Sequence, residues 1–250
     1  QGALSVRLGD GSSDRLNVTG QATLAGRIAL SGFGPVTLGT LQTVLSATNV
    51  VGSFGDLSSD FAFLDVSLNY SSAAVTASLS RNAVAFSDVA RTANQAAAAH
   101  AFAALDSSGL FYRNVLGLSA PQAQAAFDLG SGEIHASLKS VLIDDSRQLR
   151  DAANRRLREL AAAPSFRAAF NALDETARPR PPAERLALWS HAYGAAGAID
   201  GDGNAARIGR STGGILVGGD APLDETWRLG ALAGYNRTSF SVAPRRSSGA

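Results

Sequence analysis

The sequence predicts a mainly β protein with a central α-helical segment, and three observations carry this prediction. Residues 1–85 contain short apolar pairs separated by Gly, Ser, Asn and Asp, which is typical of short strands with frequent turns. Within residues 86–163 the apolar positions change to helical spacing. Residues 186–250 alternate in segments of about ten to fifteen residues, long enough for tilted strands to cross a bilayer. Because so few strands cannot pair all their edges in lipid, we expect the start of an incomplete outer-membrane β-barrel.

The first segment, residues 1–85, is expected to be a β-rich stem. Pairs such as Leu16/Val18 and Ile28/Leu30 alternate briefly and are followed by turn residues. This pattern suits a β-solenoid end or a β-sandwich. We favour a β-solenoid-like stem, because the segment has neither charged strand faces nor a cysteine–tryptophan core.

Composition excludes several classes of site and partner. The formal net charge of +1 gives no electrostatic argument for nucleic acid, and the absence of cysteine excludes disulfides and thiolate metal sites. Residues 28–55 carry no charge, but their glycines and Pro35 favour strands and turns over a transmembrane helix. Since the sequence does not begin with methionine, we expect its first residue to follow a processed or excised end.

The helical junction, residues 86–163, is expected to begin with two short helices. Ser87 or Asp88 can cap a helix over VARTANQAAAAHAFAAL, with Gly109 as its stop signal. A second helix begins at Ser119 with a capping-box pattern and ends at Gly130. Both helices are short and rich in alanine, so packing against a neighbour must stabilise them.

A third helix, residues 133–160, is the candidate pore helix. Its apolar residues recur at steps of three to four, and its other surface interleaves arginines with acids. About twenty-three of its residues extend roughly 35 Å, which exceeds the roughly 25 Å apolar band of an outer-membrane barrel. We therefore expect it to pass through a polar lumen and to pair with charges on the wall. The candidate contacts are Arg147, Arg150, Asp151, Arg155 and Arg156.

Residues 164–185 read as a Pro-rich linker, and residues 186–250 as the first barrel strands. The polar loop at 198–207 is long and the turn at 222–226 is short, which predicts an external loop and a periplasmic turn. Candidate membrane-interface aromatics are Trp189, Tyr193, Trp227, Tyr235 and also Phe240. The glycines at positions 213, 214, 218, 219, 230 and 234 are expected to let a helix approach the wall closely.

The sequence offers two weak signals for metal or catalytic chemistry. The loop DGDGN resembles the start of a calcium loop, but Ala205 and Ser211 stand where an EF-hand needs Gly and Glu, so a solvated hairpin loop fits better. The sequence has no G-x-S-x-G motif, and we interpret His100, His135 and His191 as structural. We expect no catalytic, cofactor-binding or metal site. Because acids nearly match arginines on the third helix, that helix does not predict a phosphate-binding face.

Several stretches together resemble the autotransporters of type V secretion, in particular members with subtilisin-like passengers. They are TANQAAAAHAFAAL, LGLSAPQAQAAFDLGSGEIHASLKS, DDSRQLRDAANRRL, WSHAYGAAGAIDGDGNAARIGRSTGGILVGGDAPL and WRLGALAGYNRTSF. The resemblance covers roughly residues 60–242. It implies that residues 1–85 are the C-terminal end of a passenger, that the third helix lies in the pore, and that most barrel strands follow residue 250.

The resemblance also implies a function, a location and partners. The segment would anchor an N-terminal passenger in the bacterial outer membrane and export it to the cell surface, without enzymatic chemistry of its own. The alternatives are the tail of a secreted serine protease or esterase whose catalytic domain lies upstream, or the tail of a β-solenoid adhesin. Expected partners are outer-membrane lipid and, by resemblance, barrel-assembly and periplasmic chaperone machinery, with no nucleic acid.

Overall fold

The computed structural model describes residues 2–162, 186–223, 227–242 and 247–249. The chain divides into an N-terminal unit, Gln1–Glu133, and a C-terminal unit, Ile134–Ala250. The predicted linker at 164–185 lies outside the described residues. Among the described helices, none is long and apolar enough to span a membrane.

The N-terminal unit contains nine strands, one 3-10 turn and three helices. The strands are β1 Ala3–Leu8, β2 Leu16–Asn17, β3 Gln21–Leu24, β4 Arg27–Gly32, β5 Gln42–Ser46, β6 Asn49–Gly52, β7 Asp56–Ser59, β8 Leu64–Tyr70 and β9 Ala74–Arg81. The 3-10 turn is Phe86–Val89, and the helices are α1 Ala93–Ala103, α2 Leu110–Leu116 and α3 Ala120–Gly130.

The first seven strands stack in parallel on three faces. β1, β4 and β7 pair in that order, β2 pairs with β5, and β3 pairs with β6. Paired positions such as Gln21 and Asn49 lie in successive turns of the chain. Alternate side chains point inward, and Val6, Ile28 and Leu30 are almost fully buried. The hydrophobic effect thus stabilises the stack from inside, and Ile28 and Leu30 are one of the pairs that the sequence pattern identified.

One corner of this stack depends on glycines. Gly26 and Gly52 have φ values of +81° and +82°, a left-handed conformation that other residues adopt only with strain. A Cβ on Gly26 would lie 2.5 Å from the carbonyl oxygen of Gly2. The carbonyl of Gly26 in turn accepts the N–H of Gly55 at 2.8 Å. Close stacking at this corner therefore leaves no space for a side chain.

A hairpin and three helices complete the N-terminal core. β8 and β9 are antiparallel, and β9 also pairs with β5. The ring of Phe86 lies 4.7 Å from that of Phe63 and 6.4 Å from that of Phe127 of α3, between centroids. Arg81 lies over both Phe63 and Phe86 and donates to the carbonyl oxygens of Phe63 and Val84. The helices therefore share one core with the strands.

The first helix begins later than the sequence predicted. Residues Phe86–Val89 form a 3-10 turn in which Asp88 accepts the N–H of Ala85. The helix starts at Ala93, where Thr92 accepts the N–H of Gln95 at 3.1 Å. Burial of Phe86 fixes the turn and thereby overrides the local helical signal.

Of the remaining predicted cap and stop residues of the helical segment, one differs from the structure and two agree with it. Gly109 precedes α2 as its N-cap, so a helix follows the expected stop signal. For α3, Ser119 is the N-cap as predicted, and its N–H donates to Gln122 Oε1 at 3.0 Å. The α3 helix ends at Gly130, again as predicted.

The C-terminal unit contains a long helix and an antiparallel sheet. The helix α4 spans Glu133–Ala162 and confirms the predicted third helix. The strands are β10 Ala187–Ile199, β11 Ile208–Pro222, β12 Arg228–Val242 and β13 Ser247–Gly249, and they pair in sequence order. The first three coincide with the predicted membrane-length strands. Among the described residues, β10 and β13 are the two edge strands and do not pair with each other, so the sheet does not close.

The face of α4 that is buried coincides only in part with the apolar stripe seen in the sequence, to which Val141, Leu142 and Leu157 belong. Val141, Asp145 and Ala152 are buried, at spacings that place them on one face of a helix. Leu142 and Leu157, which belong to the apolar stripe, are 59% and 64% exposed. The helix therefore turns a mixed polar and apolar face to the sheet, because charged partners lie there.

Candidate functional site

The candidate site is the surface where α4 lies on the sheet β10–β12. Alternate strand residues point to α4, namely odd-numbered residues of β10 and even-numbered residues of β11 and β12. Hairpin pairing sets this register, since Thr212 lies opposite both Ala195 and Thr238. Charged residues of β11 and β12 therefore share a face with the helix.

One set of contacts, the Arg210 cluster, consists of Asp144, Asp145, Arg210 and Thr238. Arg210 Nη1 donates to Asp145 Oδ1 at 2.9 Å, and its Nη2 donates to Asp144. Thr238 Oγ1 donates to the second oxygen of Asp145. Only 6% of the Asp145 side chain is exposed, so its charge is compensated by direct hydrogen bonds. Val141 packs with Ile208 and Val242 beside this cluster.

A second set of contacts, the Asp220 cluster, consists of Arg156, Asp220 and Arg228. Arg156 donates to both oxygens of Asp220, at 2.8 and 3.1 Å. Arg228 of β12 donates to the same carboxylate and to the backbone oxygen of Asp220. The Asp220 side chain is 6% exposed. At this cluster the helix supplies the cation, whereas at the Arg210 cluster it supplies the anions.

Of the five residues predicted as pore-helix contacts, one contacts the sheet, two contact their own helix and two are exposed. Arg156 pairs with the sheet residue Asp220. Arg147 pairs with Asp144 on its own helix at 3.1 Å, and Arg150 donates to Ser146. The remaining two, Asp151 and Arg155, are exposed. Among the described residues, one of the five thus pairs with an acid of the sheet, and acids of α4 face the sheet at the other cluster. That these residues contact a pore wall stays a prediction.

Sequence reasoning missed the sheet side of both clusters. Arg210, Asp220 and Arg228 are charges inside membrane-length strands, and such charges are tolerated on the lumen side of a barrel. Combined with the predicted hairpins, their even numbering would have placed all three on one face. That signal was available from the sequence.

The predicted interface aromatics lie on both faces of the sheet. Trp189 and Tyr193 are half-buried on the face that carries α4. Tyr235, by contrast, points to the opposite face and is 71% exposed, and Trp227 is exposed just before β12. The predicted Phe240 is half-buried and packs beside Val141 on the face that carries α4.

The glycines of β11 accommodate aromatic rings of the neighbouring strand. A Cβ on Gly218 would lie 2.2 Å from the ring of Trp189, its cross-strand partner, and one on Gly214 would lie 2.7 Å from the hydroxyl of Tyr193. At Gly214 and Gly218 the expectation that the glycines admit the helix is therefore corrected. They leave space for rings that lie flat across the strand, a known way to stabilise glycine in sheets.

The opposite face of the sheet is apolar in its middle. Exposed side chains there include Leu188, Ile215, Val217 and Leu229. Trp227 and Tyr235 lie at the two ends of this apolar zone, roughly 27 Å apart along the strand at about 3.4 Å per residue. Beyond Tyr235 the same face carries Arg237 and Ser239. One face of the sheet is thus apolar, and the other is charged and covered by α4.

The loop between β10 and β11 holds its acidic residues by local bonds. Asp202 accepts the N–H groups of Ala205 and Asn204 at 2.6 and 3.0 Å. These bonds, that of Ala205 foremost, hold the pKa of Asp202 below its ordinary value. Asp200 pairs with Arg207 at 3.1 Å. The loop acids thus make hairpin contacts.

The three histidines occupy different settings. His100 and His135 are exposed on α1 and α4. His191 of β10 is half-buried and its ring stacks with that of Tyr193, with centroids 6.2 Å apart. In the described part of the chain, no group of three or more His, Asp or Glu is arranged to hold a metal ion.

Comparison with known proteins gives one family and two relatives. Residues 188–250 match the family described as the autotransporter beta-domain. The chain is similar to an extracellular serine protease of Serratia marcescens, 29% identical over 246 residues, covering 81% of this chain and 22% of that protein. A second extracellular serine protease of the same organism is 38% identical over 130 residues, covering 52% of this chain and 11% of that protein.

The chain thus spans about a fifth or less of the length of these curated relatives. No solved structure matches it.

Proposed function

Since this chain belongs to the autotransporter family, we propose that it is the junction between an exported passenger and its outer-membrane translocator. The autotransporter β-domain is a translocator, and residues 188–250 match it. We assign β10–β13 to the first wall strands and α4 to the pore. Residues 1–133 are assigned to the passenger end at the cell surface, and no segment here is assigned a catalytic role.

The observation that carries the proposal is the pairing of α4 with the sheet. A barrel wall needs a lipid face that is apolar and a lumen face that tolerates charge. The sheet has an apolar face with Leu229 and Val217, and the face under α4 carries Arg210 and Asp220. At 30 residues, α4 extends about 45 Å, enough to cross an apolar band of roughly 25 Å.

We further propose that the N-terminal strands are the last turns of a β-solenoid passenger. Support comes from the parallel pairing of β1, β4 and β7 and from the glycine corner at Gly26 and Gly52. The β8–β9 hairpin and the helices α1–α3 share a core with this stack and would cover one end of it. Proposed partners are outer-membrane lipid around the wall and the barrel-assembly and periplasmic chaperone machinery during biogenesis.

Pore conductance of the full-length protein in planar bilayers tests the role of α4. We expect low conductance for the wild type. The combined substitution Asp144→Asn, Asp145→Asn and Arg156→Gln should raise it, because the helix then loses its charged contacts with the wall. The matched control is Arg158→Gln, an exposed arginine on the same helix. Unchanged conductance in the triple variant would contradict the proposal.

A second candidate function concerns the passenger. Both relatives carry the name extracellular serine protease, which favours a serine protease domain upstream of residue 1. An activity-based fluorophosphonate probe would label a serine hydrolase passenger covalently. Labelling of the exported protein supports a protease or esterase, and failure to label favours an adhesin.

A further inference from the structure

The two charge clusters under α4 differ in what remains if the helix leaves. At the Asp220 cluster, both sides keep a partner of opposite charge. Asp220 retains Arg228 of β12, and Arg156 retains Glu159 on its own helix at 3.6 Å. Separation at this cluster therefore leaves no charge without a counter-charge, and the energetic penalty is small.

At the Arg210 cluster, separation leaves charges unpaired. Both carboxylates that contact Arg210 belong to α4, namely Asp144 and Asp145. Asp144 keeps Arg147 of its own helix. Asp145, however, has its hydrogen-bond donors in the sheet, which are Arg210 and Thr238. In the described part of the chain, removal of α4 thus leaves both Asp145 and Arg210 without an ionic partner.

Burial is nearly the same at the two clusters. Asp145 and Asp220 are each 6% exposed, and Arg210 and Arg156 are 19% and 22% exposed, so the difference lies in the partners that remain. Among the described residues, opening the Arg210 cluster breaks three hydrogen bonds between helix and sheet and leaves Asp145 and Arg210 without an ionic partner, whereas opening the Asp220 cluster breaks two and leaves both sides paired. Val141 adds apolar packing on Ile208 and Val242 at the same end.

We infer that the Arg210 cluster fixes α4 on the wall, whereas the Asp220 cluster is an exchangeable contact in which Arg228 substitutes for Arg156. Asp145 and Arg210 are then positioning residues for the pore helix, and detachment of α4 begins at its C-terminal half. This inference rests on the proposed function and specifies which contacts hold the helix and in which order they open.

Cysteine labelling tests the order, since the chain has no cysteine of its own. The reporters are Val141→Cys, beside the Arg210 cluster, and Ala152→Cys, nearer to Arg156; both sites are buried. The probe is a water-soluble maleimide applied to the full-length protein in detergent. Each reporter is combined with Arg156→Gln, with Arg210→Gln, or with Asp144→Asn plus Asp145→Asn. Arg158→Gln is the matched control.

The labelling rates at positions 141 and 152 should respond differently to the loss of each cluster. Arg156→Gln should raise the labelling rate about tenfold at position 152 and leave position 141 protected. Arg210→Gln and the Asp144→Asn, Asp145→Asn pair should each raise labelling about tenfold or more at both positions. Arg158→Gln should change neither rate.

Two other outcomes overturn the inference, and they are distinguishable from each other. If Arg156→Gln exposes both positions, or if loss of the Arg210 cluster exposes position 141 alone, the Arg210 cluster is not what fixes the helix, and the pore role stands. If both positions already label rapidly without any charge substitution, α4 does not lie on the wall, and the proposed function fails together with the inference.

Discussion

At the scale of single residues, the ring of Trp189 lies so close to Gly218 that the position has no space for a side chain. Any side chain at position 218 must displace this ring, since an added Cβ would lie 2.2 Å from it. We expect Gly218→Val to lower the free energy of unfolding by about 1–3 kcal/mol, as is typical of overpacking. Urea unfolding of the protein in lipid vesicles, followed by tryptophan fluorescence, measures this.

The control for that substitution lies on the same strand. Gly213 is exposed on the opposite face, and its added Cβ would have only an ordinary contact, 3.8 Å from the backbone oxygen of Tyr193. Gly213→Val should leave the free energy of unfolding nearly unchanged. Equal losses for both variants would show that the close contact between ring and glycine does not matter.

Asp10 makes a residue-scale prediction about pH. The Thr37 hydroxyl donates to it and Arg113 of α2 pairs with it, and these contacts lower the pKa of Asp10 in the folded protein. A carboxyl whose folded pKa is lowered stabilises the fold above its unfolded pKa of about 4, and this contribution disappears as pH falls through the folded value.

The Asp10→Asn variant tests this dependence. Its melting temperature should lie below that of the wild type at pH 7, and the difference should vanish as pH falls well below 4. Thermal melts from pH 7 to pH 2, followed by circular dichroism, give the comparison. A difference that persists unchanged at pH 2 would show that the ionised carboxylate is not the cause.

At the scale of elements, α4 shows why a helix can be predicted more easily than its orientation. The periodicity of the sequence predicted the helix, yet of its apolar stripe Val141 is buried whereas Leu142 and Leu157 are exposed. The buried face is set by Arg210 and Asp220, which lie more than fifty positions further along the chain. A helical pattern alone has no information on such distant partners.

The sharing of Asp220 between two arginines predicts non-additive substitutions. Arg156→Gln and Arg228→Gln should each cost little, because the other arginine still pairs with Asp220. The double variant leaves this buried carboxylate without either arginine. We expect it to cost about 1–3 kcal/mol more than the sum of the single losses. Urea unfolding of the four proteins of this cycle provides the measurement, and strict additivity would contradict the shared contact.

At the scale of the whole molecule, the sequence predicted the main elements better than their packing. Strands β10–β12, the helices α3 and α4 and the β-rich start were all expected. Helix α2 and the delayed start of α1 were not, because the burial of Phe86 among Phe63, Tyr112 and Phe127 decides them. Such packing depends on residues that are distant in sequence.

At the candidate site too, the sequence predicted the element but not its packing. The sequence predicted a charged helix in the pore, which stays a prediction, and of its five named residues Arg156 pairs with the sheet residue Asp220. Arg210 and Asp220 of the sheet were missed, although their even numbering in the predicted hairpins already places them on one face; which residues of α4 pair with them appears only in the folded unit. The stacking of β1, β4 and β7 was also only weakly visible, because the sequence repeat between these strands is not sharp.

The central claim, that α4 lies on the wall strands in the membrane, is tested most directly by disulfide formation in intact outer membranes. Val141→Cys is paired with Ile208→Cys or with Val242→Cys, residues that it contacts. Leu142→Cys, exposed on the same helix, serves as the control partner. We predict efficient disulfide formation with Val141→Cys in at least one pair and none with Leu142→Cys. Absence of any Val141→Cys disulfide, in protein that inserts at wild-type levels, would contradict the account.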